Sequence, residues 1–518
     1  MARAVSASAS SGRLAPAALC IALFAVVVVT GESWSVLADP WHVVDDARQH
    51  VFWTYRYQDP ALFPGDLYAD FFSALAPLGY HALYWLFAKL GDPLRAGCWL
   101  PFGLAAVALT FAWRLGRALE PRWGGFLAAF LLLPYLHLLR GGLPRSFALA
   151  LLLPHLFYVA TAQMGRATVV LALQALVYPQ TFLLGLGIQG LQTLRQGGRE
   201  AVRRPLVILL LGVVAGGVVL APRYLIARPA ALGTLVTRAE ASASPEFQRG
   251  GRAAFFDPSP VRFYLTGRRS GLGWNNSLTQ LAILVGLLAL VRRGAVRQTP
   301  SIVLDTLIAS LGLFVAAHAL LFRLHLPNRY VQWTLPLAAI MFSVAHARPA
   351  AAWLRDRVPP IAGLWAWLAW LRWGIAAIVL LALVEGAVST ARHAEGTEED
   401  VIAVHRYLRT LPREALIAGR STLLAEVPLL DRRRILDDPQ FALPYFRGYY
   451  HEVVRRTTAR EAVWQAGSPE TLGRFCRDFG VSHVLIDRQA PIRASLLSVL
   501  TAAAGFDHGR FVVAPCPR

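Results

Sequence analysis

The chain has 518 residues, of which 56% are hydrophobic and only 16% are charged, and its formal net charge is +20. This composition excludes a soluble globular protein, and the chain also lacks the alternating pattern of a membrane barrel, so a polytopic helical membrane protein is predicted. The excess charge is almost wholly arginine, and no basic run alternates with aromatic residues. Nucleic acid is therefore not a predicted partner, whereas the lipid bilayer is.

Apolar stretches of ~20 residues, the length that crosses a bilayer, recur along the first three quarters of the chain. The predicted membrane segments lie near 14–30, 98–118, 123–139, 145–161, 205–226, 277–292, 302–322, 329–346 and 361–388. The first of these follows two arginines and is predicted to be an uncleaved helix, because no clear small-residue cleavage site comes after it.

The stretch 167–194 contains Tyr178-Pro179 and permits either one long helix or two short ones. Arginine clusters lie in several loops, and the positive-inside rule places them in the cytoplasm. If the N-terminus is cytoplasmic, the loops alternate between the two sides of the membrane with the arginine clusters inside only if 167–194 is a hairpin whose tip reaches the outer side. This gives about eleven membrane segments. The alternative makes 167–194 one span and 75–90 another, but it leaves the arginines around Arg117 outside.

The segment after the first predicted helix reverses the charge of the chain. Between Glu32 and Asp70, seven acidic side chains stand against two arginines, a net charge of about −5. Acids at a membrane face lie on the side that basic residues avoid, or they are assembled to handle a cation or a proton. The segment is predicted to be an acidic first outer loop covering 31–97.

A helix over 45–57 would place four side chains on one face: Asp46, His50, Trp53 and Tyr57. At the water boundary, the aromatic rings would be anchored among lipid headgroups. The carboxylate and the imidazole would then be aimed at a bound substrate.

Asp45 and Asp46 are the candidate catalytic pair. Either carboxylate can remove a proton from an acceptor hydroxyl, with His50 beside it, or the two can bind a divalent metal ion, because carboxylate oxygens suit hard metals. The alternative is that both acids only cap a helix, where its dipole favours negative charge.

A second group of candidate residues lies in the run 322–330, which joins two predicted helices on the outer side. Its Pro-Asn pair before a helix start, followed by Arg329, would place free backbone N–H groups and a guanidinium at the positive end of a helix dipole. This predicts an anion site for a lipid-linked phosphate, with Arg329 as the main partner and Arg323 and His325 in support. The alternative is that these arginines contact ordinary lipid headgroups.

The loop 227–276 contributes further arginines. It is predicted to be either a cover over the active site or a plain solvated loop, and the second is the preferred interpretation.

After Glu385 the chain becomes more polar. Predicted strands at 415–419, 483–487 and 511–514 alternate with helical stretches around 398–410, 446–466 and 469–479. This pattern predicts a small extracytoplasmic α/β domain over 389–518, following an all-α transmembrane domain over 1–388. Cys476 and Cys516 can pair if this domain lies outside the cytoplasm.

The ordered set of features resembles the GT-C superfamily of integral-membrane glycosyltransferases, which includes the polyprenyl-phosphate-sugar-dependent mannosyl- and aminoarabinosyltransferases. The resemblance lies in Asp45-Asp46, the Ala-Pro-Leu-Gly-Tyr-His-Ala-Leu-Tyr run at 76–84, the turn at Tyr178-Pro179, and Pro327-Asn328-Arg329-Tyr330. The C-terminal stretches 407–412, 449–450 and 479–487 also resemble the soluble tails of uncharacterised bacterial members.

The resemblance implies inverting transfer of a sugar from a polyprenyl-phosphate-linked donor to a cell-envelope acceptor on the outer face of a bacterial-type cytoplasmic membrane. If the roles known in the family are transferred to this sequence, Asp45 or Asp46 is the base and Arg329 holds the donor phosphate. A divalent metal ion is optional. The chain lacks the Trp-Trp-Asp-Tyr-Gly motif of oligosaccharyltransferases, so an oligosaccharide donor and an asparagine acceptor are not expected. Its Asp-Asp also departs from the Asp-Glu and Glu-Asp pairs common in the mannosyltransferase branch.

Two other functions remain open. A transporter or flippase of a lipid-linked or anionic solute would need charged or broken helices near mid-membrane, whereas the clearest polar groups lie at the outer boundary. A non-catalytic membrane protein of the same architecture is favoured if the acids are only exposed caps.

Overall fold

The computed structural model describes residues 39–43, 46–195, 199–225, 232–273, 299–357 and 397–517. Its α-helices are Ala47–His50, Leu67–Leu75, Leu78–Leu90, Pro93–Leu119, Gly124–Leu132, Phe147–Ala160, Met164–Val177, Pro179–Arg195, Arg199–Leu225, Arg238–Ala243, Ser301–Ala319, Thr334–Arg357, Glu399–Leu408, Val427–Leu430, Arg447–Ala466, Pro469–Phe479 and Ala494–Ala502. The predicted spans near 14–30, 277–292 and 361–388 lie outside the described residues, and so does Asp45.

Within the described residues, three helical segments are long and apolar enough to cross a bilayer: Pro93–Leu119, Gly124–Gly142 and Ser301–Ala319. Shorter apolar helices lie at Pro144–Ala160, Met164–Val177 and Pro205–Val218. The predicted multi-pass helical region is thus confirmed, while the number of about eleven segments stays a prediction.

The region 167–194 forms two helices, as the hairpin interpretation predicts. Met164–Val177 ends at Tyr178, whose φ of −146° and ψ of 86° are not helical, and Pro179 begins the next helix. Proline restricts the residue before it to extended conformations but fits the first turn of a helix. The competing span over 75–90 is not supported, because the helix Leu78–Leu90 has only 13 residues.

Two of the spanning helices approach through glycine. A Cβ on Gly116 of Pro93–Leu119 would lie 2.1 Å from the Gly124 carbonyl oxygen, and a Cβ on Gly124 would lie 2.2 Å from the Gly116 carbonyl oxygen. Membrane helices pack closely where small residues let their backbones meet, and here the approach leaves no room for a side chain.

The C-terminal region contains a five-stranded sheet with the order β2-β1-β3-β5-β4. The strands are β1 (Leu416–Arg420), β2 (Arg434–Ile435), β3 (His483–Asp487), β4 (Phe506–His508) and β5 (Phe511–Pro515). β1 is parallel to β2 and β3, whereas β5 is antiparallel to β3 and β4. The predicted α/β character is confirmed, and each of the three predicted strands is found to within one residue.

The two faces of this sheet bury different cores. Side chains alternate along a strand, so Val484 and Ile486 of β3 pack with the helices Arg447–Ala466 and Pro469–Phe479 on one face. Cys476 and Cys516 form a disulfide at this core, as the sequence allowed. Leu485 points the other way.

That second face joins the first loop. Leu485 of β3 lies in the same hydrophobic core as Val51, Phe63 and Tyr80. Tyr449 of the C-terminal region stacks on Phe71 with ring centroids 3.5 Å apart. The first loop and the C-terminal region therefore share one core.

The predicted continuous helix over 45–57 is wrong. The helix Ala47–His50 gives way to a 3₁₀ turn at Phe52–Tyr57. Trp53 is 2% exposed, so its ring packs inside the shared core and does not anchor among headgroups. The reason is burial: the first loop folds against the C-terminal region, which the local pattern does not reveal.

The described part of the loop 227–276 is a packed cover. Phe247, Phe255 and Phe263 are buried against Phe322 and Leu326 of the connecting turn. The preferred interpretation of a plain solvated loop is therefore wrong, because its aromatic residues bury one another over that turn.

Candidate active site

Asp46 lies just before the helix Ala47–His50, and its side chain makes no capping hydrogen bond to that helix. It forms an ion pair with Arg145, in which the side chains of Asp46 and Arg145 are 24% and 40% exposed. The helix-cap interpretation is therefore wrong for Asp46. Its carboxylate faces the membrane region of the chain.

Arg145 is held by the bend between two membrane helices. Gly141 and Gly142 have φ of 84° and 60°, a conformation that favours glycine. The buried Ser146 hydroxyl donates to the Arg140 carbonyl at 2.7 Å. Tyr84, from the 76–84 run, donates to the Gly142 carbonyl at 2.9 Å, so that run supports the bend that carries Arg145.

The pKa of Asp46 is set by opposing effects. Burial raises it, but the positive charge of Arg145, with smaller contributions from His50 and Arg329, lowers it below the ordinary value. Asp46 is therefore an ionised carboxylate at neutral pH. Arg329 is near enough to act on this carboxylate, so two residues predicted independently share one electrostatic environment.

His50 lies one helical turn after Asp46, as predicted. Burial lowers its pKa to about 4, although the charge of Asp46 opposes this effect. The imidazole is therefore neutral at pH 7. Its ring packs edge-on against Phe72 with centroids 5.6 Å apart.

The turn that carries Arg329 differs from the prediction. Pro327–Tyr330 is a short 3₁₀ turn, and the next α-helix begins at Thr334. The Asn328 and Arg329 backbone N–H groups donate to the carbonyls of Arg269 and Leu326. The predicted helix-dipole anion site is wrong, because these N–H groups are already used and the helix starts later.

Arg329 instead belongs to a cluster of guanidinium groups around Tyr445. The positive charges of Arg252, Arg269 and Arg329 all act on the Tyr445 hydroxyl, although burial still raises its pKa. Burial, together with Arg268 and its neighbours, lowers the pKa of Arg269. We refer to Arg252, Arg268, Arg269 and Arg329 as the arginine cluster.

Most of this cluster is already engaged. Arg252 donates to the Pro439 and Gln440 carbonyls at 3.0 Å each, and Arg269 donates to the Ala254 and Arg252 carbonyls at 3.2 Å each. Arg329 is held less firmly, by a 3.4 Å contact between its guanidinium and the side chain of Gln332. Of these three arginines, it is the one best able to take a ligand.

The supporting residues of the predicted phosphate site fall in different places. The His325 ring lies 6.1 Å from the Tyr445 ring, at the edge of the arginine cluster. Arg323 is exposed, and within the described residues its guanidinium forms no ion pair. His325 thus lies at the edge of the arginine cluster, while the supporting role of Arg323 stays a prediction.

The described residues contain no group of three or more histidine, cysteine or acidic side chains that could hold a metal ion. Asp46 is paired with an arginine, and its predicted partner Asp45 lies outside those residues. Metal binding by this pair stays a prediction.

Other acids of the first loop serve the C-terminal region. Asp59 forms an ion pair with Arg413 at 2.5 Å, and Asp39 accepts a hydrogen bond from the Thr397 N–H at 2.8 Å. Asp66 caps the following helix. The interface with the C-terminal region therefore accounts for two of the loop's acids, Asp39 and Asp59, and Asp66 has a local role.

Sequence reasoning missed Arg145 and Tyr445. A signal existed for Arg145, because on the predicted path Arg140 and Arg145 lie on the outer side, against the positive-inside rule. Arg269 was included only among the arginines of the loop 227–276, and no pattern pointed to Tyr445, because these residues meet the site only through folding of distant segments.

No family model matches the chain, and no curated protein is similar to it in sequence. Solved structures do resemble it. The oligosaccharyltransferase AglB of Archaeoglobus fulgidus, in complex with an inhibitory peptide and a dolichol-phosphate, is 12% identical with a TM-score of 0.46, over 93% of this chain and 70% of that one. A crystal structure of the Archaeoglobus fulgidus oligosaccharyltransferase with zinc and sulfate is 13% identical with a TM-score of 0.49, over 91% and 68%.

ArnT from Cupriavidus metallidurans, bound to undecaprenyl phosphate, is 13% identical with a TM-score of 0.48, over 97% of this chain and 98% of that one. These neighbours are membrane glycosyltransferases of the GT-C superfamily, the superfamily that the sequence resembles. At such low identity and TM-scores the likeness carries no argument about activity. The functional proposal therefore rests on the positions and charges of this chain's own side chains.

Proposed function

We propose that the chain is a membrane glycosyltransferase that moves a sugar from a polyprenyl-phosphate-linked donor to a cell-envelope acceptor. The observation that supports it most is the position of Arg329, which is near enough to lower the pKa of the Asp46 carboxylate. A transferase of this kind needs a base for the acceptor and a cation for the departing phosphate, and these two side chains supply both.

In the proposed reaction, the acceptor hydroxyl oxygen attacks the anomeric carbon of the donor sugar. The bond from that carbon to the phosphate oxygen breaks, and the lipid phosphate leaves as an anion beside Arg329. The hydroxyl proton passes to Asp46, which is ionised and able to receive it. Attack opposite the leaving group inverts the configuration at the anomeric carbon.

The surrounding charged groups are consistent with Asp46 as the base and Arg329 as the cation for the phosphate. The other arginines of the cluster raise the positive potential at Arg329, and Arg252 also holds the loop 232–273 to the C-terminal region. His50 is neutral at pH 7, so it can accept or donate a hydrogen bond near the acceptor without adding charge. His325 lies beside the cluster as a further donor to phosphate.

A divalent metal is not required by this chemistry, because the leaving group is already an anion that arginine can stabilise. If a metal binds, Asp45 and Asp46 are its candidate ligands, and it would help to neutralise the phosphate.

The proposed location is the outer face of a cytoplasmic membrane, with the N-terminus inside and the region 389–518 outside. The Cys476–Cys516 disulfide supports this, because disulfides persist in oxidising compartments and are rare in the cytosol. The arginine-rich loops predicted to be cytoplasmic support the same orientation.

The direct test is mass spectrometry of cell-envelope glycans and lipid-linked sugars in cells with and without the protein. Loss of one glycan modification, with accumulation of one polyprenyl-phosphate sugar, is the expected result. The same donor, supplied to the purified protein in detergent, should be consumed with release of polyprenyl phosphate. A protein that only moved the intact donor across vesicles, without releasing polyprenyl phosphate, would be a flippase instead.

A further inference from the structure

A second cavity lies apart from the Asp46 and Arg329 site. Its volume is about 860 Å³, within the range of small-molecule sites. Its walls come from the first loop, the start of the helix Pro93–Leu119 and the C-terminal residues 409–433. None of the residues that we place in the candidate active site lines it.

The polar wall of this cavity is positively charged. Five arginines line it against three aspartates, so a surplus of positive charge faces the interior. Arg95 is exposed, and among the described residues its guanidinium has no ion-pair partner. Arg432 reaches Asp92 only at 4.0 Å and is 43% exposed. Arg95 is therefore available to an anion, and within the same part of the chain Arg432 is held only by Asp92 and Tyr55, which leaves part of its guanidinium exposed.

Aromatic rings orient two of these cations. The Arg432 guanidinium lies 4.3 Å from the centre of the Tyr55 ring, and the Arg409 guanidinium lies 4.2 Å from the centre of the Trp41 ring. Stacking of this kind fixes the guanidinium plane but leaves its N–H edges able to donate to phosphate oxygens.

Another wall belongs to a membrane-length helix and is apolar apart from Arg95. Leu94, Cys98 and Trp99 from the first two turns of Pro93–Leu119 line it. Trp99 is 62% exposed, and Leu90, at the end of the neighbouring helix, is 76% exposed. Exposed tryptophan and leucine at the end of a spanning helix are typical of the boundary between lipid and water.

We propose that this cavity binds the anionic headgroup of a membrane lipid, with the acyl chains passing out beside Trp99. The cavity combines the two features that an anionic amphiphile requires: arginines, four from the C-terminal region and Arg95 from the helix start, and apolar side chains at the membrane end of that helix. A soluble anion would use only the first feature, and a neutral lipid only the second. This site is additional to the proposed donor site at Arg329 and does not depend on it.

The test uses native mass spectrometry of the full-length protein in detergent, titrated with phosphatidylglycerol or with zwitterionic phosphatidylcholine. We expect the wild-type chain to retain phosphatidylglycerol roughly tenfold more tightly than phosphatidylcholine. The double variant Arg95→Gln/Arg432→Gln should lose about tenfold in phosphatidylglycerol affinity, since basic residues at a membrane surface each attract anionic lipid.

The matched control is Arg455→Gln/Arg474→Gln, which removes the same charge from exposed positions of the C-terminal region that do not line the cavity. It should bind phosphatidylglycerol as the wild type does. Equal losses in both double variants would overturn the proposal, because only the net charge would then matter. Unchanged binding in Arg95→Gln/Arg432→Gln would also overturn it.

Two further measurements distinguish a lipid headgroup in this cavity from a soluble anion and from a lipid at the donor site. Glycerol phosphate, which has the headgroup phosphate but no acyl chains, should compete only weakly; competition equal to that of phosphatidylglycerol would make this a site for a soluble anion. Arg329→Gln should leave phosphatidylglycerol binding unchanged, and its loss there would assign the lipid to the donor site. These outcomes are independent of transferase activity.

A photoreactive phosphatidylglycerol provides a second measurement if the double variant does not fold. In the wild-type protein it should label peptides that contain residues 93–99 and 409–433. Labelling confined to other peptides would disprove the proposal.

Discussion

Asp46 of the first loop and Arg145 of the bend between two membrane helices form an ion pair. The pair connects a segment that packs on the C-terminal region to a segment that belongs to the membrane region. It also sets the charge state of the residue that we assign as the base.

Asp46→Asn should reduce transfer by roughly 10²–10⁴-fold, the usual contribution of a positioned base, while the protein still accumulates in membranes. Asp70→Asn is the matched control, since Asp70 lies in the same loop but forms an exposed pair with Arg56, and it should retain activity. The measurement is release of polyprenyl phosphate by purified protein. Full activity in Asp45→Asn, Asp46→Asn and the double variant would remove the catalytic assignment.

Arg145→Gln should shift the acidic limb of the pH–rate profile to higher pH. Arg145 makes the largest favourable contribution to keeping the Asp46 pKa low, against the opposing effect of burial. Without it the carboxylate becomes protonated at a higher pH, so activity at mildly acidic pH falls first. An acidic limb at the wild-type position would show that Asp46 is not the titrating group.

Arg329→Gln should raise the KM for the lipid-linked donor by roughly 10- to 100-fold, because a charge-assisted hydrogen bond to phosphate is lost. Arg249→Gln, in the same loop as most of the arginine cluster but exposed, is the control and should leave KM unchanged. Steady-state kinetics at varied donor concentration gives the KM of each variant. Equal effects of both substitutions would indicate a general loss of positive charge.

Gly124→Ala should destabilise the membrane region by about 1–3 kcal/mol, the usual cost of overpacking. The new Cβ would lie 2.2 Å from the Gly116 carbonyl oxygen, so the two helices would have to separate. Gly103→Ala, on the same helix as Gly116 but with open space around its Cβ position, should have no such effect. Thermal unfolding in detergent measures both, and equal midpoints would disprove the close crossing.

The buried pair of His405 and Asp431 should make stability depend on pH. Burial lowers the His405 pKa, but its 2.7 Å hydrogen bond to Asp431 and the charges of Asp431 and Glu426 outweigh that effect and raise the pKa to about 9. A raised pKa in the folded state means that the stabilisation is fully present below pH 6.5 and is lost as the pH rises through 9.

The expected result is a wild-type melting temperature that falls between pH 6.5 and 9, and a smaller fall in His405→Gln. His508→Gln, whose side chain is 55% exposed, is the control and should keep the wild-type fall. Identical pH dependence in the wild type and His405→Gln would place the titration elsewhere.

Local patterns in the sequence predicted the elements well. Tyr178-Pro179 marked the break between two helices because proline acts on its immediate neighbours. The strands at 416–420, 483–487 and 511–515 were found because buried strands are short apolar runs. The loop 227–276 was misjudged, because its phenylalanines have no period that reveals which surface they cover.

The candidate site was predicted only in part. Asp46 and Arg329 were singled out from their surroundings, and the structure places them in one electrostatic environment. The helix-end roles differ from the structure for two reasons: Asp46 stands at the N-cap of its helix but pairs with Arg145 and makes no capping hydrogen bond, and the helix after Arg329 begins only at Thr334. Arg145 and Tyr445 were missed.

By itself, the sequence determined that this is a helical membrane protein with a small α/β region after it, since hydrophobic length and local periodicity are encoded within a few neighbouring residues. Only the tertiary structure decided which charges meet. Asp46 is paired with Arg145, and Arg329 is gathered with Arg252 and Arg269 around Tyr445. Such contacts join segments that are far apart in the chain, and their energies depend on burial and distance, which no local pattern contains.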